Sequence, residues 1–81
     1  MTDKEIIKKI QPVFREVFKD SGLEVARELS APDVPQWTSL TNTVMIHEVE
    51  KVFGIRFGFR DIVGLNNVGD LIDLVRKKNT E

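Results

Sequence analysis

Apolar residues recur at steps of three and four in three stretches of this chain, and that spacing constrains the fold more than any other feature. Residues 3–19, 40–53 and 68–78 each place their apolar side chains on one face of an α-helix, with charged side chains on the other face. In the first stretch the apolar residues are Ile6, Ile7, Ile10, Val13, Phe14, Val17 and Phe18. The pattern predicts three substantial helices.

The remaining apolar residues form two shorter elements. Ile55, Phe57 and Phe59 alternate with other residues, as in a strand, but a lone strand has no partner in this chain. We therefore expect an extended connector that buries these three side chains, followed by a short helix over residues 59–63 that ends near Gly64. The prediction is an all-α fold, a small antiparallel four-helix bundle of three long helices and one short helix. Its 81 residues fit one domain, residues 1–81.

Residues with special backbone or capping chemistry predict where the helices end. Gly22 and Gly54 are expected to stop the first and second long helices. Asn67 is a good N-cap for the last helix, with Asp70 in its first turn. Pro12 lies inside the first helical pattern, so we expect a kink or a helix that restarts there.

The periodic faces also predict which side chains form the core. We expect Leu23, Val25 and Leu29 to anchor the long connection over residues 20–38. The residues expected to be mostly buried are Phe14, Val17, Phe18, Met45, Ile46, Val49, Phe53, Phe57, Ile62, Leu71 and Val75.

Composition excludes several classes of function. Twelve basic and 13 acidic residues give a net charge of -1, without a basic stripe for nucleic acid. The chain has no cysteine, so disulfides and thiolate chemistry are excluded. No stretch approaches the roughly 20 apolar residues of a membrane helix, and the N-terminus lacks a signal-peptide pattern. We expect a cytoplasmic monomer that does not insert into membranes.

No catalytic or metal site is indicated. The single histidine, His47, lies outside any metal-binding spacing. It follows Ser39 by eight residues on the same predicted helix, which separates the two by two turns, on the order of 12 Å. That distance is too long for a serine–histidine pair, and a small hydrolase using Ser39 would have no base.

Thr38 and Ser39 stand side by side where the second long helix begins, in the sequence WTSLTN. A hydroxyl at that place can act as an N-cap, which satisfies free N–H groups of the first turn. It can instead be a chemical handle, because a serine oxygen there lies beside free N–H groups and the positive end of the helix dipole. The pair alone favours the cap. If Ser39 is the handle, Thr38 is the residue expected to cap the helix.

Three segments change that balance. The sequence DVPQWTSL, the helix ending HEVEKVFGIRF and the segment DIVGLNNVGDLIDLV together resemble the acyl carrier protein family over nearly the whole chain. In that family an Asp-Ser-Leu motif begins the second helix, and its serine receives a 4'-phosphopantetheine arm from coenzyme A. The FGI motif after the second helix corresponds to residues 53–55, and the family's TVGD motif corresponds to NVGD at residues 67–70.

The resemblance implies that Ser39 is the attachment site and that the chain carries an acyl or aminoacyl group as a thioester. Its implied partners are a phosphopantetheinyl transferase and enzymes that load and transfer acyl groups. The implied partner-contact residues are Thr38, Leu40, Thr43, Val44, His47, Glu48, Glu50 and Lys51.

The chain departs from the family pattern at two places. Thr38 replaces the aspartate that is thought to help dock the transferase. The second helix is also less acidic than in typical members, with Val44 where an acid is common and Lys51 nearby. We therefore expect partners in a specialised acyl pathway, polyketide-like or lipid-modifying, more than in general fatty-acid synthesis. The alternative is a carrier-like domain that is never modified and acts only as a protein-interaction module.

Overall fold

The computed structural model describes residues 1–79, and this part of the chain is helical without a strand. Its helices are α1 (Asp3–Val17), α2 (Ser39–Phe53), α3 (Phe59–Val63) and α4 (Val68–Asn79), with a 3-10 turn at Ala31–Asp33. The predicted all-α bundle of three long helices and one short helix is confirmed. The expected single domain runs to Glu81, and its last two residues, Thr80 and Glu81, lie outside the described residues.

Helix α1 packs against both α2 and α4, and it runs without interruption through Pro12. A restart at Pro12 is therefore the wrong expectation. Pro12 lies on the exposed face of the helix, where water can satisfy the backbone carbonyl that loses its partner. At the N-terminus, Thr2 and Glu5 form a reciprocal capping box, with N–H to oxygen distances of 2.9 and 3.2 Å.

The end of α1 also differs from the prediction. The helix stops at Val17, and the residue in the left-handed region is Lys19, with φ 51°, rather than Gly22. The N–H of Asp20 then donates to the carbonyl of Arg15 at 3.0 Å, as in a Schellman ending. Glycine does end α2, where Gly54 has φ 65° as predicted.

The core lies between α1, α2 and α4. Eight of the eleven side chains expected there are buried: Phe14, Phe18, Met45, Ile46, Val49, Phe57, Leu71 and Val75. Val17, Phe53 and Ile62 are only partly buried, which corrects the prediction. Val17 and Phe53 are the last residues of their helices, so no further turn of the same helix covers their side chains. Ile62 lies on the five-residue α3, which is too short to bury a full face.

The connection over residues 20–38 is fixed to the bundle by apolar anchors and backbone bonds. Val25 and Val34 are buried, and Leu23 and Leu29 pack partly against the core. The N–H groups of Val68 and of the next residue along α4 donate to carbonyls in this connection at 2.8 and 2.9 Å. The expected anchoring is confirmed, and it holds the segment that leads into α2.

The connector between α2 and α3 is extended, but it buries fewer side chains than expected. Phe57 is buried and Ile55 is partly buried, whereas Phe59 is 80% exposed. Phe59 is the first residue of α3, so the alternating pattern of the connector does not continue to it. The Phe57 N–H donates to Oε2 of Glu50 at 2.7 Å, which ties the connector back to α2.

Four charged side chains join the start of α1, the long connection and α4. Arg27 lies 2.7 Å from Asp3 and 2.9 Å from Asp73. Arg76 pairs with the same two carboxylates, at 3.3 Å in the case of Asp73. Hydrogen bonds from Arg76 and then from Arg27 hold the pKa of the Asp3 carboxyl below its ordinary value.

This lowered pKa predicts a loss of stability in acid. The folded chain holds Asp3 ionised more firmly than the unfolded chain does, so the unfolded chain binds the proton first as the pH falls. The contribution is fully present above about pH 4, the ordinary pKa of an aspartate, and is lost below it. The denaturant midpoint of Asp3→Asn should therefore fall less between about pH 5 and about pH 3 than that of the wild type.

The matched control for this prediction is Glu28→Gln. Glu28 is exposed and forms no ion pair or hydrogen bond within residues 1–79, so the variant should follow the wild-type pH dependence. An equal fall for Asp3→Asn and the wild type would show that the ion pairs of Asp3 do not contribute to acid sensitivity.

Candidate functional site

The start of α2 has a reciprocal cap made by two threonines. Thr38 has an extended backbone, with φ -112° and ψ 177°, and its Oγ1 accepts from the Thr41 N–H at 3.3 Å. The Thr41 Oγ1 accepts in return from the Thr38 N–H at 2.8 Å and donates to the Gln36 carbonyl at 2.7 Å. Thr38 is the N-cap, as the sequence predicted, and the cap does not use the neighbouring serine.

Ser39 is the first residue of α2, and it is exposed. Its Oγ has no hydrogen-bond partner among the residues that the structure describes, and the N–H groups of Ser39 and Leu40 also have none. The first turn contains no acidic side chain. A negative group attached to the Ser39 oxygen would meet two free donors and the positive end of the helix dipole, with no carboxylate opposing it.

An open cleft of about 270 Å³ lies beside Ser39. Its lining includes Trp37, the first turns of α2 and the loop over residues 65–67 that leads into α4. Met45 and Leu71, both nearly fully buried, contribute apolar surface. The Ser39 hydroxyl is therefore accessible to solvent and lies beside a partly apolar cleft.

Trp37 is held rigidly at the edge of this cleft. Its ring stacks on Phe18, with the centroids 5.2 Å apart, and meets Phe14 edge to face at 5.5 Å. Its Nε1–H donates to Oδ1 of Asn42 at 2.9 Å. The sequence alone did not predict these roles of Trp37 and Asn42, because nothing in the local pattern shows that a loop tryptophan reaches the core of the bundle.

The predicted partner-contact residues lie along α2 and its cap. Six of them are exposed, namely Thr38, Leu40, Thr43, Val44, His47 and Lys51. Glu48 is partly buried and pairs with Lys51 at 3.1 Å. Glu50 is the least accessible, because its side chain is only 18% exposed and accepts from the backbone of the following connector.

Two exposed apolar residues of α3 were not among the predicted contacts. Phe59 is 80% exposed and Val63 is 61% exposed, and they are four residues apart on the same helix. Leu40, the residue after Ser39, is a third exposed apolar side chain, and 75% of its surface is accessible. The short length of α3 could have indicated that Phe59 and Val63 are exposed, because a helix this short packs on one face and leaves the other in solvent.

Among residues 1–79, no histidine or carboxylate is hydrogen-bonded to the Ser39 hydroxyl. His47 lies two turns further along α2 and is 3.6 Å from Oε1 of Glu50. Within residues 1–79 no group of three His, Asp or Glu side chains is placed to hold a metal ion. Within the described residues, the Ser39 hydroxyl therefore lacks the bonded base that a serine nucleophile requires.

Comparison with known proteins identifies the family. The chain is similar to the solution NMR structure of a holo acyl carrier protein from Geobacter metallireducens, with 40% sequence identity and a TM-score of 0.84 over 90% of this chain and 84% of that one. This chain belongs to the acyl carrier protein family. No protein-family model and no curated protein sequence matches it.

In this family, the start of the second helix is where the attachment site is expected. Ser39, the attachment site that the resemblance implies, is the first residue of α2. The capping threonine stands where the family pattern has aspartate. The exposed hydroxyl, the free N–H groups and the adjoining cleft all lie at the same end of the bundle.

Proposed function

We propose that this chain is an acyl carrier, not an enzyme, and that it bears 4'-phosphopantetheine from coenzyme A on Ser39. It would hold an acyl or aminoacyl group as a thioester on that arm. The observation that carries the proposal is the exposed Ser39 Oγ, free of any hydrogen bond within the described residues, at the first position of α2. The similarity to a holo acyl carrier protein supports it.

The residues around Ser39 fit the group that the family implies. Its Oγ would form the ester bond, and the N–H groups of Ser39 and Leu40 would face the phosphodiester. Thr38 and Thr41 hold these N–H groups in place by fixing the first turn. When bound, the arm supplies the terminal thiol that carries the acyl group.

Partner enzymes would bind the exposed face of α2 together with the apolar residues of α3. The predicted contacts Leu40, Thr43 and Val44 follow Ser39 directly along this face. Phe59 and Val63 add apolar surface from α3. Aromatic and apolar side chains surrounded by polar ones are typical of interface anchors, so this composition supports a docking role.

The charges on α2 support specialised partners. Glu48 pairs with Lys51, and Glu50 is used by the backbone of Phe57. Few carboxylate oxygens therefore remain to attract a strongly basic partner surface. We propose partners whose binding depends on apolar contact more than on charge, as in polyketide-like or other specialised acyl transfer, in preference to general fatty-acid synthesis.

The proposal also covers the setting in which the carrier works. None of the helices formed by residues 1–79 is long and apolar enough to cross a membrane. The proposed carrier is a cytoplasmic monomer, and its lack of cysteine fits a reducing compartment. A single domain over residues 1–81 is part of the same proposal.

The direct test is the intact mass of the chain after incubation with coenzyme A, Mg²⁺ and a transferase of broad specificity. The proposal expects the addition of one phosphopantetheine per chain. A mass that stays unchanged with every transferase tried would favour the unmodified interaction module. The replacement of the family's aspartate by Thr38 is the observation that makes this alternative worth testing.

Thr38→Asp is expected to speed modification by a conventional transferase. Aspartate is as good an N-cap as threonine, so the variant should keep the first turn intact while restoring the missing carboxylate. An exposed ion pair is worth about 0.2–1 kcal/mol, which corresponds to a rate gain of at most about fivefold. Initial rates measured by mass spectrometry should show this gain at low salt and a smaller gain at high salt.

The matched control is Thr38→Asn, which keeps a capping oxygen without adding charge. It should be modified at the wild-type rate. An equal gain for the asparagine and aspartate variants would show that capping, and not charge, limits the reaction.

A further inference from the structure

Two asparagine side chains at the cleft beside Ser39 are held in fixed orientations. Oδ1 of Asn42 accepts from the Trp37 indole N–H at 2.9 Å. Oδ1 of Asn67 accepts from the Asp70 backbone N–H at 2.8 Å, as the N-cap of α4. An indole N–H and a backbone N–H can only donate, so each faces the amide oxygen and the NH2 group is the free end.

Both NH2 groups lack a partner among the residues that the structure describes. Asn42 lies on α2 and Asn67 lies in the loop before α4, and both line the cleft together with the apolar side chains of Leu65, Met45 and Leu71. Small-molecule sites are usually lined by apolar side chains together with a few polar groups in fixed orientations. This pair of NH2 groups can donate hydrogen bonds to carbonyl oxygens of a ligand that also has apolar carbon.

The volume of the cleft limits the size of that ligand. About 270 Å³ lies just below the roughly 300 Å³ at which small-molecule pockets usually begin. The cleft is therefore large enough for a segment of an extended ligand, but too small for a whole long ligand. Ser39 lines the same cleft, so a group attached to its oxygen would be delivered to the two amides without diffusion.

We propose that this cleft binds the amide-bearing segment of the arm on Ser39, with the NH2 groups of Asn42 and Asn67 donating to its amide carbonyls. The inference rests on the proposed function, because the ligand is the phosphopantetheine arm. That arm contains two amides and a gem-dimethyl group, which match the two donors and the apolar side chains of the cleft. Trp37 is a positioning residue, since it fixes the orientation of Asn42.

The first experiment compares the side-chain NH2 resonances of the apo and modified chains by ¹⁵N–¹H NMR. Intact mass first establishes that one arm has been added. The resonances of Asn42 and Asn67 should then shift on modification, and the arm's gem-dimethyl protons should show NOEs to Leu65. Asn79 is the internal control, because it is exposed at the other end of α4, about 18 Å along the helix.

The outcomes separate the two proposals. A modified chain whose Asn42 and Asn67 resonances move no more than that of Asn79 would overturn the cleft assignment and leave the carrier function intact. A mass without any addition would overturn both proposals. Shifts at the two asparagines together with NOEs to Leu65 would support the cleft.

A second experiment uses Asn67→Asp, which keeps the capping oxygen for Asp70 but replaces the NH2 donor with an acceptor. In the modified chain, the NOEs to Leu65 should weaken and the shift of Asn42 should fall to less than half of the wild-type value. Asn79→Asp makes the same change in charge away from the cleft and should retain both signals. Wild-type signals in Asn67→Asp, at an unchanged melting temperature, would contradict the role of its NH2 group.

Discussion

Ser39→Ala is expected to abolish phosphopantetheine addition completely. The ester bond requires the hydroxyl oxygen, and no other residue of the first turn offers a hydroxyl that is free of the capping network. Because the Ser39 Oγ forms no hydrogen bond within residues 1–79, its removal should leave the fold and stability of the bundle unchanged. Intact mass after transferase treatment measures the result, and thermal unfolding verifies that the variant is folded.

Two variants serve as controls for this result. Ser21→Ala removes an exposed serine in the turn after α1 and should still accept one arm. Thr38→Ala should also be modified, although loss of the cap is expected to lower the free energy of unfolding by about 0.5–2 kcal/mol. Continued modification of Ser39→Ala would place the attachment site on another hydroxyl.

Modification of the wild type compared with that of Thr38→Asp distinguishes a carrier from an unmodified interaction module. If the wild type resists every transferase and Thr38→Asp is modified readily, the start of α2 has lost the carrier role through the loss of one carboxylate. The interaction module would then explain the exposed face of α2 and α3 better. If both are modified, Thr38 affects only the rate.

Local sequence signals were sufficient to predict most of the fold. The three long helices follow from apolar spacing, and the cap residues Thr38 and Asn67 and the stop at Gly54 act through bonds within a few residues. Some of the errors arose where tertiary packing decides. Phe59 continues an alternating pattern, but its exposure depends on where the short α3 lies against the bundle.

The candidate site was predicted only in part, for a related reason. The short motif around Ser39 could be compared with a family pattern, and the helix end explains why a hydroxyl there is accessible. The cleft could not be predicted, because Asn42 and Asn67 are 25 residues apart and line the same cleft only in the folded bundle. The same holds for the pairing of Asp3 with Arg27 and Arg76, which joins both ends of the described chain.

Phe14→Ala is expected to lower the free energy of unfolding by about 3–5 kcal/mol. The side chain is fully buried, and it contacts both Phe18 and Trp37 edge to face at 5.5 Å. Its removal leaves a cavity at the centre of the bundle and also ends two aromatic contacts. For a domain of this size, whose total stability is roughly 4–12 kcal/mol, the loss is a large fraction.

Chemical denaturation followed by Trp37 fluorescence measures this effect, because the single tryptophan stacks on the same aromatic cluster. The matched control is Phe59→Ala, the same substitution at a side chain that is 80% exposed, which should change stability by less than about 0.5 kcal/mol. If Phe14→Ala is too unstable to fold, Phe14→Leu should still fold and show a loss of about 1–2 kcal/mol. Equal denaturation midpoints for Phe14→Ala and Phe59→Ala would contradict the core assignment. That result would also contradict the role of the aromatic cluster in positioning Trp37, and therefore the role of Trp37 in orienting Asn42.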